Sequence, residues 1–569
     1  MSWTPDADVL DFLNLIALQN AVEYDGQAAV GSVIGRIMGM REDLRAHGKA
    51  LAPAVARAVA RANELVNEQG LDAAEAILRE RSPDLLAPRQ KAERREGLPE
   101  LNKAEQGKVV LRFAPNPNGP LSFGHARGIV INGQYAKRYG GELILRFDDT
   151  DTVVKPPLPE AYSSIVEEAT WLLGRAPDRV VIASDRMPVY YEHAERMLQG
   201  GGGYVCTCSA EAFRELRVAQ TPCPCRDADA ELNMERWRMM LDGRFAQGEA
   251  VVRVRTGMDL PNPALRDWPA LRIQDTTAAP HPRPEIGSTY RVWPLLDFQS
   301  AVEDHLQGVT HIIRGKDLMD STRKQSLLYE HFGWTYPETL YWGRVKVHEW
   351  GGFSTSAMRA DIEAGTYEGW DDPRLPTIAA LRRRGIQAEA LRAFWLELAI
   401  TQKDIAVPLA TLYSHNTSVV DQDAHRLAFV RDPVQLTLHN APEEATLVAF
   451  PDDAERDLRR LDLSRGDVLI EADDLQDPAP FRLKDLGDVT KEDGALHLTS
   501  LERSDSRRIL HWTTPDATEA VLMVVNDGHI HHVKGRLEPH NLPLGAVVQL
   551  ERIGYAILIE DHRLLMMHE

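Results

Sequence analysis

LRFAPNPNGPLSFGHARG, residues 111 to 128, is the stretch from which the fold can be read. Val109, Val110 and Leu111 lead a short apolar run from Lys108 to Phe113, the pattern of a buried parallel strand. Pro115, Pro117, Gly119 and Pro120 disfavour helix and predict a tight loop. From about Gly124 the apolar spacing becomes helical, with Ala126, Ile129 and Val130 at offsets of three and four and Ile131 four before Tyr135. Gly133 is tolerated inside that helix at a cost, and Gly140 and Gly141 end it. A second strand, Leu143 to Phe147, then runs into Asp148, Asp149 and Asp151. Strand, loop, helix, strand is the unit of a doubly wound parallel sheet. It places Gly124 and His125 at a helix N-terminus, where backbone amides favour anions and a glycine admits a nucleotide close to the chain.

The chain has 569 residues, enough for several domains and a large core. No apolar run approaches membrane-spanning length, and MSWTPDADV lacks the basic and apolar regions of a signal peptide, so a cytoplasmic protein is expected. Against 85 acidic residues stand 65 basic ones, of which 13 are lysine, giving a net charge of −20. That is the wrong sign for a generic nucleic-acid binder. An acidic, lysine-poor surface suits a salty cytoplasm, and a GC-rich genome would produce the same arginine bias without selection; both remain open. Either way, any RNA contact must use local arginine patches rather than the overall field.

All four cysteines fall within twenty residues, Cys206, Cys208, Cys223 and Cys225. Two C-x-C pairs separated by a short segment can converge four thiolates on a tetrahedral structural Zn2+; four unligated thiols are the plainer alternative. Residues 1 to about 91 carry alanine-rich amphipathic patterns such as AVARAVARANELV, and KAERREGLPELNKAEQGK reads as a charged connector. A helix is expected around Glu231 to Leu241, with short strands at Ala250 to Arg255 and Ala270 to Ile273. Residues 377 to 430 return to helix. Beyond Pro433, runs such as VQLTLHN, AVLMVV and YAILIE alternate in period two and predict β-barrels.

Three pieces together, the 111–128 stretch, RFDDTD at 146–151 and GFSTS at 352–356, resemble class I aminoacyl-tRNA synthetases, in the form used by glutaminyl and archaeal-type glutamyl enzymes. Ser122, Phe123, Gly124 and His125 stand at the first signature, with serine replacing its first histidine, and EGWDDPRLPTIAALRRRG at 368–385 is similar to the same subgroup. The resemblance implies a multidomain α/β protein with a doubly wound, Rossmann-type catalytic domain. Its organisation would be a helical N-terminal extension and linker (1–107), a first catalytic half (108–203), an acceptor-stem insertion with the zinc knuckle (204–293), and a second half bearing the STS loop (294–376). A helical stem-contact region (377–432) and C-terminal antiparallel β-barrels that bind the anticodon (433–569) would follow.

The chemistry so implied is activation of an amino acid by ATP with Mg2+, then transfer to tRNA. In-line attack on a phosphate needs alignment and charge neutralisation more than acid or base. Gly124, His125, Ser354, Thr355 and Ser356 are the candidates for that work, and Ser122, Gly124, His125, Ser356 and Arg359 for holding ATP. Arg112, Ala114, Asn116, Asp148, Ser300 and Arg314 are the candidate amino-acid pocket, Asp148 taking the ammonium group; Asp149 and Asp151 could equally serve only as caps. The second signature normally carries a lysine after its serine, and here Ala357 stands there, so Arg359 or Lys346 is expected to replace the charge. Two arginines, Arg112 and Arg314, converging on one side chain favour L-glutamate over glutamine, because a neutral amide would strand a buried cation. Leu296 stands where a tyrosine is usual. The expected acceptor is tRNA(Glu), with tRNA(Gln) left open as a second, and the enzyme a monomer. A glutaminyl-tRNA synthetase and a tRNA-binding relative with impaired catalysis remain as alternatives. Arg482, Lys484 and Arg552 are equally open as anticodon contacts or solvated side chains.

Overall fold

The computed structural model describes all residues except 1–3, 25, 87–96, 352, 454 and 504–506. It divides into two compact units, Met1–Arg95 and Glu96–Glu569. The first is helical, with Ala7–Glu23, Val30–Met40, Gly48–Gln69 and Leu71–Arg81 packed around Leu13, Ile16, Val33, Ile37, Val55 and Leu78. Buried Asn20 accepts from the Ala29 amide at 3.0 Å, and Asn63 accepts from Ala28 at 2.7 Å, so two polar side chains fix the turn between the first two helices. The first part of the charged connector, 91–96, lies outside the described residues.

In the second unit the predicted strand begins at Val110 rather than Lys108 and runs to Phe113. The helix is Phe123–Arg138 and the next strand Glu142–Phe147. The two strands pair in parallel, Leu111 opposite Leu143 and Phe113 opposite Leu145, and Arg179–Ile182 continues the sheet on the far side. His311–Gly315 and Glu338–Trp342 form a second parallel pair. Thr310 joins the pieces: its amide donates to Val110 O at 3.0 Å while its hydroxyl accepts from Val110 N at 2.9 Å. Numbering these five strands as they occur along the chain, their order across the sheet is 3-2-1-4-5, that of a doubly wound fold, and more than a hundred residues separate the two halves. Alternation sorts the faces: Leu143 packs with Tyr135 and Leu145 with Ile129, whereas Ile144 packs with Val309 and Ile312.

Between the halves, Gly203–Cys206, Val251–Val254, Pro269–Ile273 and Val292–Pro294 form an antiparallel sheet in sequential order over a core holding Trp237, Trp268 and Trp293. The helix expected there is Ala230–Leu241. Ile378–Arg383, Ala388–Leu398 and Leu409–Val420 follow.

The C-terminal β region starts at His425, not after Pro433. His425–Leu427 and Phe429–Arg431 form the two outer strands of a seven-stranded sheet, and since only Ala428 separates them, the sheet closes on itself. A six-stranded sheet is closed by a Leu469–Thr513 bridge. These barrels are mixed rather than antiparallel. Leu438 pairs with Leu496, Phe481 with Arg508 and Leu522 with Leu564 in parallel, because closure brings together strands that no hairpin connects.

Gly141 is required by a close approach: a Cβ there would lie 2.0 Å from Val109 O, just where Glu142 N bonds that same carbonyl at 2.9 Å. Gly141→Ala should lower stability by about 1–3 kcal/mol, as overpacking does. The check is the urea midpoint, which should fall relative to the parent protein.

Candidate active site

The loop from Ala114 to Leu121 is the hub of the site. Asp148 N donates to Pro115 O at 3.0 Å, Asn116 Nδ2 to Asp148 O at 3.1 Å and Leu158 N to Pro117 O at 2.8 Å. On the other side Phe123 N donates to Pro376 O and Ile378 N to Leu121 O, both at 2.8 Å, which ties the first signature to the 368–385 block. Beneath it, buried Glu168 accepts from Leu121 N at 2.8 Å; burial, only partly offset by that bond, raises its carboxyl to about 7. A Cβ on Gly119 would meet Thr355 Cγ2 at 2.5 Å, so the STS segment packs directly on this loop.

Two helix N-termini meet at this hub, one following directly on the loop and the other packed against it. Ser122 caps Phe123–Arg138: its Oγ accepts from His125 N at 3.4 Å, while His125 Nδ1 accepts from Ser122 N at 3.1 Å. Serine in place of the usual histidine thus completes a capping box. With Nδ1 accepting, the proton of the neutral ring belongs on Nε2, an assignment drawn from the hydrogen-bond pattern. Burial, and then the charge of Lys155, push the imidazole down to about 4. Gly124 is exposed, and a Cβ there would meet nothing closer than Ser122 Oγ at 3.8 Å. Ser354 caps Thr355–Glu363 through Ala357 N at 3.2 Å, with Ser356 Oγ 3.3 Å from Ser354 Oγ. Arg359, the expected ATP contact, donates from Nε to Glu363 at 2.8 Å, since i, i+4 spacing brings the two together on the helix surface.

Beside the hub lies a cavity of about 200 Å³ lined by Arg112, Ala114, Asp148, Ser300 and Arg314, with Leu296 half exposed on its wall. Of the expected pocket, only Asn116 is not in this lining; its amide is used to tether the loop. Arg146, wholly buried, was not singled out from the sequence. It donates to Asp148 at 2.8 Å, to Asp304 at 2.7 Å and to Ser300 at 2.7 Å. Arg112 shares Asp304 at 3.2 Å, so its charge is not free as the sequence suggested. Burial alone would raise the Asp304 carboxyl, but Arg112 and Arg146 outweigh it and hold the group below the usual carboxylate range. Asp148 Oδ1 also accepts from Gln299 at 2.6 Å, leaving Oδ2 with the Ser300 hydroxyl at 3.3 Å. Arg314 is held by neutral oxygens alone, Thr322 at 2.5 Å, Tyr336 at 2.7 Å and Gln325 at 3.1 Å, and its Nε has no partner among the described residues. The sequence signal for Arg146 was a charge inside the otherwise apolar strand ELILRF; for Asp304, Gln325 and Tyr336 there was none.

Asp149 is structural: it accepts from Ser184 N at 2.8 Å, Ser184 Oγ at 2.6 Å and Tyr162 OH at 2.7 Å. Asp151 caps a turn through Val153 N and Val154 N. In the barrels, Arg482 is spent on Asp488, Lys484 on Asp485 and Glu551, and Arg552 on Asp474.

The four cysteine sulfurs lie within 4.8 Å of one another, Cys206–Cys223 at 3.8 Å and Cys208–Cys225 at 3.9 Å. Thiolates ~2.3 Å from a tetrahedral zinc stand about 3.8 Å apart, so the set fits the metal. The ion would cross-link the strand end at Cys206 to the loop at Cys223 and Cys225.

A parallel sheet of order 3-2-1-4-5 interrupted by an insertion, with one capped helix N-terminus on its first loop and a second packed against that loop, is the architecture of the doubly wound nucleotide-binding class. Within that class the chain belongs to the class I tRNA synthetases (E and Q): residues 108–422 match the model of that family's catalytic domain and residues 424–499 that of its anti-codon binding domain. It is 45% identical over 499 residues to the glutamate–tRNA ligase of Methanosarcina mazei, covering 85% of this chain and 86% of that protein. With that of Methanococcoides burtonii the identity is 42% over 558 residues, 95% of each chain. With that of Pyrococcus abyssi it is 44% over 507 residues, 86% of this chain and 88% of the other.

Elemental analysis should find one zinc per chain, and Cys223→Ser should bring it below half an equivalent while lowering the melting temperature. Metal retained in full by that variant would count against a four-thiolate site. For His125, a folded value of about 4 lies below the free imidazole value of 6.5. The unfolded chain therefore binds the extra proton first, and this group's contribution to stability, complete above 6.5, fades as pH falls toward 4. An NMR titration placing the ring near 6.5 would refute the assignment.

Proposed function

We propose that the protein ligates L-glutamate to tRNA(Glu) through a glutamyl-adenylate. The observation that carries this is the charge of the cavity. Arg112, Arg146 and Arg314 contribute three positive charges and Asp148 and Asp304 two negative ones, a surplus of one. Zwitterionic glutamate carries a net charge of −1 and cancels it; glutamine carries none and would leave the surplus buried at a cost of several kcal/mol. The names of the relatives, all glutamate–tRNA ligases, support the same choice.

In this reading the Arg314 guanidinium, with its Nε unpartnered, and Arg112 meet the side-chain carboxylate, while Asp148 Oδ2 and Ser300 receive the ammonium group. The α-carboxylate is left facing the hub, where it attacks the α-phosphate of ATP in line and pyrophosphate departs. Gly124 N–H and the His125 Nε2 proton donate to phosphate oxygens without adding charge, and the Ser354–Ser356 helix end presents further donors. Mg2+ bound with ATP neutralises phosphate charge. A terminal ribose hydroxyl of tRNA then displaces AMP. The reading extends to tRNA(Gln) as a second acceptor and to a monomer in the cytoplasm, where thiolates stay reduced.

Aminoacylation of total tRNA with labelled glutamate and glutamine, at low and high salt, tests it: glutamate alone should be loaded. Arg314→Gln should cut kcat/KM for glutamate roughly 10²- to 10⁴-fold, the effect of removing one partner of a buried charge pair, about 3–5 kcal/mol. Loading of glutamine in preference by the parent protein would overturn the assignment.

A further inference from the structure

Position 357 carries no charge, and the two basic residues nearest to it in sequence are turned to other uses. Arg359 is paired with Glu363 along its own helix. Lys346 lies on Val345–Val347, whose outer residues both pack on the cluster containing Phe123, so by strand alternation Lys346 faces away from the signature helix.

A third cation lies on the segment joining Asp151 to Leu158, TVVKPP. Its start is fixed: Thr152 N and Oγ1 both donate to Gln274 Oε1, at 3.1 and 2.9 Å, and Asp151 Oδ1 accepts from Val153 and Val154. Its end is fixed by Leu158 N on Pro117 O at 2.8 Å, and Pro156 and Pro157 stiffen the span between. Lys155 therefore sits on a short arch stapled to the same loop that presents Ser122 and His125. Its side chain is exposed, and among the described residues it forms no ion pair with a carboxylate. Its charge reaches His125, adding to burial in holding that ring neutral. A half-buried, neutral imidazole at the helix N-terminus thus has, on the segment stapled to its own loop, an exposed ammonium with no ion-pair partner among the described residues, a combination suited to phosphate.

We infer that the Lys155 ammonium supplies, from the segment stapled to the nucleotide loop, the phosphate-directed charge that Ala357 lacks, which makes it a further catalytic residue of adenylate formation. The inference rests on the glutamate-activating reading above. In the step, a carboxylate oxygen of glutamate forms a bond to the α-phosphorus and the bond from that phosphorus to the bridging oxygen breaks. The electron pair leaves with pyrophosphate, and Lys155 keeps its proton throughout, stabilising the charge that gathers on the leaving group.

The test is glutamate-dependent exchange of labelled pyrophosphate into ATP, with tRNA present, for Lys155→Met, Lys155→Arg, Lys346→Ala and Arg359→Ala. Lys155→Met should lower kcat for exchange by roughly 10²- to 10³-fold, the effect of removing one preorganised donor to the transition state. The KM for glutamate and for tRNA should stay within about twofold, Lys155→Arg should recover most of the rate, and the other two variants should match the parent. Circular dichroism melts should coincide, since the side chain is exposed. Exchange by Lys155→Met within threefold of the parent, a loss confined to the KM for tRNA, or the loss falling on Arg359→Ala instead would each overturn it. A parent protein that exchanges with glutamine and not glutamate would overturn the functional reading itself, and is seen before any variant is compared.

Discussion

Asp304 is the interaction on which the site depends. A fully buried carboxylate is costly unless its partners replace the lost hydration, and here two buried guanidiniums do so, Arg112 from one strand and Arg146 from the next. The arrangement fixes both arginines in orientation. Arg146 then reaches Asp148 with Nε and Ser300 with Nη2, so the acidic turn and the helix Leu296–Leu306 are locked against the C-terminal ends of the parallel strands by one side chain. Removing Asp304 would leave two buried cations facing each other. What the network lacks is equally informative: Arg314 completes the ring of charge but meets only neutral oxygens, and the cavity is left one anion short.

The same physics divides what the sequence disclosed from what it hid. Periodicity and punctuation are local, so the first strand, the signature helix and the acidic turn were legible from residues 108 to 151, with boundaries off by two residues at most. The four cysteines were legible because a tetrahedral site imposes its spacing on the chain. Arg146 with Asp304 was hidden, because the partners are 158 residues apart and nothing in either stretch names the other. The Arg359–Glu363 pair is the opposite case, a local i, i+4 contact on one helix face that spacing alone makes legible. The barrels were legible as barrels from alternation, whereas their parallel ladders and their start at His425 depend on closure, a property of the assembled sheet.

Serine at position 122 shows how a signature can lose a residue type and keep its helix cap. The cap needs a short acceptor at the helix start, and Ser122 Oγ provides it, while the returning acceptor is the ring of His125 itself. The consequence is electrostatic. Holding Nδ1 as an acceptor keeps the imidazole neutral, and a neutral ring tolerates Lys155 nearby where an imidazolium would repel it. A protein of net charge −20 has a field that opposes every phosphate approaching it. It can bind nucleotide only where cations are local, unpaired and not in competition with one another. The capping box at Ser122 and His125 meets that condition by taking one group out of the charge count and leaving the positive charge to Lys155 on the adjoining stapled segment.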